Sequence, residues 1–211
     1  MTNVLILGAG GQIARQAIAM LTGDAAMRLT LFARHKGRLA EVPDHATVVG
    51  GDVRDAARLR PAIKGQDIVY ANLTGDDLDA QAKSVIAAMK AEGVRRLIFI
   101  LSLGIYDEVP GAFGAWNTAT IGEELKPFRR AGDAIEAAGL DHTIIRPAWL
   151  TDAEEVDYEL TRRGEPFKGT VVSRRSVADL VVRIIRAPDL HLGANLGINK
   201  PNTDGDKPFF M

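Results

Sequence analysis

The sequence predicts one α/β domain built on a doubly wound, mostly parallel sheet with a small flap above it, and three observations carry that prediction. Short apolar runs alternate with segments of helical periodicity, joined by short connections. The runs are almost unbroken in Val, Ile, Leu and Phe, as strands covered on both faces should be. The chain has 211 residues, 46% of them apolar, enough for one substantial core and little more.

Taken in order, Val4 to Leu7 is the first strand, and Gly8-Ala-Gly-Gly11 turns it into a helix from Gln12 to Leu21 with a stripe of Ile13, Ala17, Ile18 and Leu21. Gly23-Asp24 stops that helix. The second strand, Arg28 to Ala33, ends at a basic cluster from Arg34 to Arg38, with no acid before Glu41. Ala46 to Gly50 is the third strand and leads into Gly51-Asp52-Val53-Arg54-Asp55. Asp67 to Ala71 is the fourth, ending at Asn72, and Leu78, Ala82, Val85, Ile86 and Met89 mark a helix buried on one face. The fifth strand, Arg96 to Leu101, has the continuous apolar character of a central position. Ser102 then opens a long irregular stretch containing Pro110, Gly111, Gly114 and Trp116, and helical patterning resumes from Glu123 to Ala138, past Pro127. Asp141 to Arg146 is a sixth strand, closed by Pro147. Residues 151–169 are polar and acidic and read as a flap of low regularity. A short strand at Thr170 to Val172, a helix from Ser176 to Ile185 and a closing strand near Ala194 to Ile198 complete the pattern, before a polar tail that frays. Residues 1–211 thus read as a single domain, with 103–116 and 151–169 as loops on the substrate side.

The first turn carries the chemistry. A strand that passes through glycines into a helix leaves the first helical amides pointing above the strand, with the positive end of the helix dipole behind them, and the natural guest is a phosphate. Gly8, Gly11 and Ala14 occupy the three positions where a dinucleotide-binding turn needs small residues. Arg34 stands at the end of the second strand, where an acid would take the ribose hydroxyls of NAD and an arginine accommodates the 2′-phosphate of NADP, so NADP(H) is favoured over NAD(H). The competing reading of the basic cluster is a solvated loop. Asp52 can hydrogen-bond an adenine edge or cap the next helix.

The totals exclude several classes. Without cysteine there are no disulfides, thiol nucleophiles or thiolate metal sites, which fits a reducing compartment. A net charge of −1 gives no electrostatic reason for nucleic acid or a membrane surface as partner. The four histidines are scattered with no ligand spacing, so no metal is assigned. No leader or membrane-spanning run is read, and the expectation is a cytoplasmic protein, monomer or homodimer, whose partner is a small-molecule acceptor.

Gly8-Ala-Gly-Gly-Gln-Ile-Ala14, Gly51-Asp-Val-Arg-Asp55, Ile145-Arg-Pro-Ala-Trp149 and Ser176-Val-Ala-Asp-Leu180 together resemble the atypical short-chain dehydrogenases/reductases, specifically their small NmrA-like and flavin/biliverdin-reductase-like members, over almost the whole chain. The resemblance implies a Rossmann fold. It implies that Gly8, Gly11, Gln12 and Ile13 contact pyrophosphate, Arg34 the 2′-phosphate, Asp52 and Val53 the adenine, and the Asn72 strand end the ribose. It also implies that Ser102 and the backbone from Pro147 to Trp149 line the nicotinamide end.

The chain departs from the family at the chemistry. Typical members carry a tyrosine followed four residues on by a lysine, which protonate the carbonyl oxygen and tune that proton. Here the only tyrosines are Tyr70, Tyr106 and Tyr158, and the helix expected to hold the pair reads Glu124-Leu-Lys-Pro-Phe-Arg129. Ser102 and Tyr106 are the catalytic candidates left; the competing readings are a serine capping local backbone and an exposed loop aromatic. Lys126 could replace the ribose-binding lysine or be solvated. Arg146 could hold the flap's carboxylates or touch ligand, and Trp149 could wall the substrate pocket or pack in the core. Two functions stand: a reductase passing hydride from NADPH to a flavin, quinone or similar conjugated acceptor, and a non-catalytic NADP(H)-binding redox sensor.

Overall fold

A computed structural model describes residues 1–39 and 42–211; Glu41, the first acid after Arg34, lies outside the described residues. Strands β1 (Thr2–Leu7), β2 (Met27–Ala33), β3 (Thr47–Gly50), β4 (Ile68–Ala71), β5 (Arg96–Ile100) and β6 (Asp141–Pro147) run parallel. Helices α1 (Gln12–Leu21), α2 (Ala56–Ile63), α3 (Leu78–Glu92) and α4 (Gly111–Glu136) connect them. Beyond β6 come β7 (Trp149–Thr151), β8 (Glu159–Arg162), β9 (Val171–Ser173), α5 (Arg174–Arg186) and β10 (Ala194–Asn199). The main sheet has eight strands in the order β3-β2-β1-β4-β5-β6-β10-β8, with β8 antiparallel to β10, while β7 and β9 pair separately. The order reverses between β1 and β4, and at such a switch point the strands' carboxyl ends open a crevice for ligand.

Side chains of β1 alternate between two cores. Val4 and Ile6 join the layer under α1 and α5, whereas Leu5 and Leu7 join the layer under α2, α3 and the later turns of α4. Coverage of both faces is why the run reads as continuously apolar. Among the described residues no helix is long and apolar enough to cross a membrane.

Three segments differ from the sequence expectation. The irregular stretch ends at residue 110, because α4 starts at Gly111 and contains both residues 111–116 and Pro127. Glycine and alanine are frequent in its first turns and conceal the pattern, but Phe113 and Asn117 are buried on one side. Within residues 151–169, the four residues of β8 extend the main sheet. The acidic segment before it is tied down: Arg174 pairs with Asp152 at 2.8 Å, Lys200 with Glu155 at 2.6 Å, and the Ser173 hydroxyl donates to the Glu155 carbonyl at 2.7 Å. The helix expected from Ser176 begins at Arg174, and Ser173 caps it by accepting from the Ser176 amide.

Candidate functional site

The glycine turn is shaped by its neighbour on β4. Gly8 has φ +71°, and a Cβ there would stand 2.1 Å from the Asn72 carbonyl oxygen; at Gly11 it would stand 2.2 Å from Asn72 Nδ2. At Gly8 the turn and the Asn72 strand end pack backbone to backbone with no room for a side chain, while Gly11 lies against the Asn72 side-chain amide. The Gly8 amide donates to the Phe32 carbonyl at 3.0 Å and the Asn72 amide to the Leu7 carbonyl at 2.9 Å, which locks β1, β2 and β4 at their carboxyl ends. Gly11 starts α1 with no side-chain cap, so the amides of Gln12 and Ile13 keep the character of an anion site.

Beside the turn lies a depression lined by Gly8, Phe32, Arg34, Asp52, Val53 and Gln81, among others. It gathers four residues that the sequence analysis named separately. Asp52 has a role beyond the two considered for it. Its carboxylate accepts from the Arg54 amide at 2.8 Å and from Arg54 Nε at 3.2 Å, and the Arg54 side chain, then its amide, hold the Asp52 carboxyl below the usual carboxylate range. The cap of α2 is Asp55, which accepts from the Ala57 amide at 2.9 Å. Arg54 also reaches Asp77 at 2.9 Å, and Gln81 Nε2 donates to Asp77 at 2.7 Å and to the Thr74 carbonyl at 3.0 Å. Leu73, Asp77 and Gln81 were missed because they carry no motif. Only the buried place of Gln81 on a helix face hinted at a structural task.

At the other end of the crevice, Ser102 is half-buried just past β5. The flanking amides are taken by β6, Leu101 donating to the Ile145 carbonyl at 2.8 Å and Leu103 to the Pro147 carbonyl at 3.2 Å. Trp149 follows Pro147 and stands 5.0 Å, ring centre to ring centre, from Trp116 on α4. Its Nε1 donates to Asn117 Oδ1 at 2.9 Å. Trp116 was expected in a pocket-like loop with Trp149 and is brought to it by a helix instead; Asn117 carries no motif and was missed.

Tyr106, the second catalytic candidate, is packed away from Trp149. Its hydroxyl accepts from Asn195 Nδ2 at 3.0 Å and its ring lies under the guanidinium groups of Arg163, Arg129 and Arg146 at 4.4, 4.7 and 5.5 Å. That hydroxyl is packed at Gly132, fifteen residues along α4 from Asn117, which is about 22 Å at 1.5 Å per residue. Burial, with Glu136 nearby, raises its pKa. Tyr70 is fully buried in β4 and desolvation raises its pKa far above the usual value. Tyr158 donates to Asp179 at 3.0 Å and accepts from Arg183 at 3.1 Å. Lys126 is exposed and pairs with Glu123. Arg146 neither holds the acidic segment nor faces the crevice: fully buried, it pairs with Glu108 and donates from Nε to Asn195 Oδ1 at 2.8 Å.

A family model described as NAD(P)H-binding matches residues 8–188. Among solved structures, a Rossmann-fold NAD(P)-binding family protein from Shigella flexneri is 59% identical, covers 100% of both chains and has a TM-score of 0.87. A wide-type short-chain dehydrogenase/reductase from Veillonella parvula, solved in complex with NADP, is 27% identical over 99% of each chain with a TM-score of 0.89. A curated Bacillus subtilis relative named uncharacterized sugar epimerase YhfK is 26% identical over 219 residues, 96% of this chain and 90% of its own.

Proposed function

This chain belongs to the NAD(P)H-binding family of Rossmann-fold oxidoreductases, and we propose that it is an NADPH-dependent reductase acting on a conjugated acceptor such as a flavin or quinone. The observation that carries the reading is that the carboxyl edge of one parallel sheet bears a depression lined by Gly8, Arg34, Asp52 and Val53 and, at or past the ends of β5 and β6, Ser102, Pro147 and Trp149. From β1 to β6 is three strand spacings, roughly 14 Å at about 4.8 Å each, a crossing suited to a pyrophosphate-linked dinucleotide.

The residues present fit that cofactor. The α1 N-terminus, with Gly8, Gly11, Gln12 and Ile13, would supply amides for pyrophosphate; Arg34 would supply a fork of donors for a 2′-phosphate; Val53 and the Asp52 backbone would wall the adenine; and Asn72 would meet the ribose. The Veillonella relative bound to NADP supports the choice of NADP over NAD. When bound, the reduced nicotinamide supplies a hydride. Ser102 and the Pro147–Trp149 backbone would orient the reacting rings, and the indoles of Trp149 and Trp116 would exclude water on the acceptor side. With Tyr70, Tyr106 and Tyr158 all held elsewhere, the chain supplies no phenolic proton donor. A conjugated ring suits this arrangement, because it spreads the negative charge left by hydride addition until water provides the proton. The cysteine-free composition suits a cytoplasmic setting.

Steady-state oxidation of NADPH with FMN, menadione and related rings tests the reading, with many turnovers per enzyme as the expected result. Tight NADPH binding with no oxidation across the panel would overturn it in favour of a redox sensor that reads the two cofactor forms by different affinity.

A further inference from the structure

We propose that Asn117 is a positioning residue that fixes the Trp149 indole as the seat for a planar acceptor ring, an inference that rests on the reductase reading above. Asn117 is 1% exposed and lies among apolar side chains, where an amide is costly unless it is hydrogen-bonded. Its carbonyl oxygen accepts from Trp149 Nε1 at 2.9 Å. An indole nitrogen can only donate, so the orientation of the Asn117 amide is settled by chemistry: oxygen toward Trp149, nitrogen away. The nitrogen faces the loop that follows Ser102, where a Cβ at Gly104 would stand 2.7 Å from Nδ2. Asn117 therefore lies between the two segments expected at the nicotinamide end, bonded to the residues after Pro147 and packed against the loop that follows β5.

The bond acts in the plane of the indole. It fixes the ring's rotation at its edge and leaves both faces unblocked by the bond itself. Trp116 contacts Trp149 at a 53° tilt and is itself stacked on Phe113 at 6.2 Å. Phe113, Trp116 and Asn117 are spaced three and four residues apart, hence on one face of α4. The helix supplies the backing and the amide, while Trp149 from the strand end supplies the seat. Both tryptophans remain part-exposed. An apolar residue at 117 would fill the same space but leave the indole N–H without its acceptor and the ring free to turn. An amide bonded to a part-exposed indole matters when the angle of that indole matters, and offset stacking of a flat conjugated ring depends on that angle.

The chain has two tryptophans, so its exciton-coupled circular dichroism reports on this pair. FMN and menadione binding is measured calorimetrically with NADP+ in place, where no turnover can occur, and KM and kcat with NADPH. For Asn117→Ala, the Kd and KM for the ring should rise about three- to ten-fold, the range of one net hydrogen bond. The kcat and NADPH affinity should stay within two-fold, and the couplet should weaken. Asn117→Gln, which keeps an uncharged accepting oxygen, should recover ring affinity and couplet at least in part. Adding Asn117→Ala to Trp149→Phe should cost nothing further. If Asn117→Ala does not fold, Trp149→Phe, which keeps a ring and removes the donor, should raise the Kd for the ring in its place. Ring affinity unchanged in Asn117→Ala and Trp149→Ala overturns the proposal, as does a wild-type protein that binds neither ring. Ring binding that weakens in Asn117→Ala without any reduction would keep the seat and overturn the reductase reading; turnover with KM unchanged in the variant would do the reverse.

Discussion

Glu108→Ala should destabilise the fold far more than the loss of a surface ion pair, and the structure sets the scale. Arg146 is fully buried and the Glu108 side chain is 4% exposed. The Glu108 carboxylate also accepts from the Gly104 amide at 3.0 Å and the Tyr106 amide at 2.9 Å, and its carbonyl accepts from Phe167 at 2.8 Å. Removing the carboxylate leaves a guanidinium in the interior with no counter-charge, held by one hydrogen bond to Asn195 and the Tyr106 ring, at a cost of about 3–5 kcal/mol. The two released amides lie in a part-buried loop that water can reach and add little. For a domain whose whole stability is about 5–15 kcal/mol, the midpoint should fall by roughly 6 to 20 °C, at 2–4 °C per kcal/mol for a chain of this length. Arg146→Met removes the other charge and leaves the buried carboxylate with the two amides alone, so it should also destabilise, by less than Glu108→Ala. The double variant removes both charges and should be more stable than the sum of the singles implies by at least about 2 kcal/mol. Urea unfolding followed by circular dichroism measures each value, with a constant slope showing that the unfolded state is unchanged. A Glu108→Ala cost below about 1 kcal/mol, the level of an exposed pair, or additive singles, would refute the buried-charge argument.

Arg34→Glu should weaken NADPH about ten-fold or more, as expected for a lost charge-assisted bond, while NADH changes little; an unchanged preference in calorimetric titrations removes Arg34 from the 2′-phosphate site. Gly8→Ala brings a Cβ to 2.1 Å from the Asn72 carbonyl at a φ of +71°, so both melting temperature and NADPH affinity should fall, and a variant matching wild type in both would contradict the packing. His191 has its pKa lowered by burial, then by Arg183 and Arg96, so the folded state binds a proton less readily than the unfolded chain. Its contribution to stability is complete above about pH 6.5, the unfolded value, and is lost as pH falls through the folded one. His191→Gln should flatten that acid limb in urea titrations from pH 7 to pH 5, and an unaltered slope would assign the limb to other groups.

The sheet was legible because its signals are local. Val4 to Leu7, Arg96 to Leu101 and the Ile13 to Leu21 stripe each state their burial within one element, and the glycine turn states its own conformation. Arg34, Asp52 and Val53 were legible from their positions just after strands. The site's other half was not, since it depends on α4. Gly111, Gly114, Pro127 and several alanines weaken helical patterning across that helix, and what stabilises its first turns is tertiary: Phe113 in the core and Asn117 on Trp149. Tyr106 failed as a candidate for the same reason. Its surroundings come from residues as distant in sequence as Asn195 and Arg163, and no local pattern announces them.

The fate of the titratable groups near the crevice bears on the chemistry more than the cofactor turn does. In this chain the strong polar groups around the β5 and β6 ends are joined to one another: Glu108 to Arg146, Arg146 to Asn195, Asn195 to Tyr106 and to Glu136. That chain of bonds holds the loop after Ser102 against β6 and β10 and leaves Tyr106 packed at Gly132, far along α4 from Asn117. A carbonyl substrate would need an acid within hydrogen-bond reach of its oxygen at the moment of hydride transfer. A conjugated ring needs none, since the charge it acquires is delocalised and its protonation can follow in water. What such a ring does need is a fixed plane beside the hydride donor, and under the proposed reading the Trp149 indole, tied at its edge by Asn117, would define one.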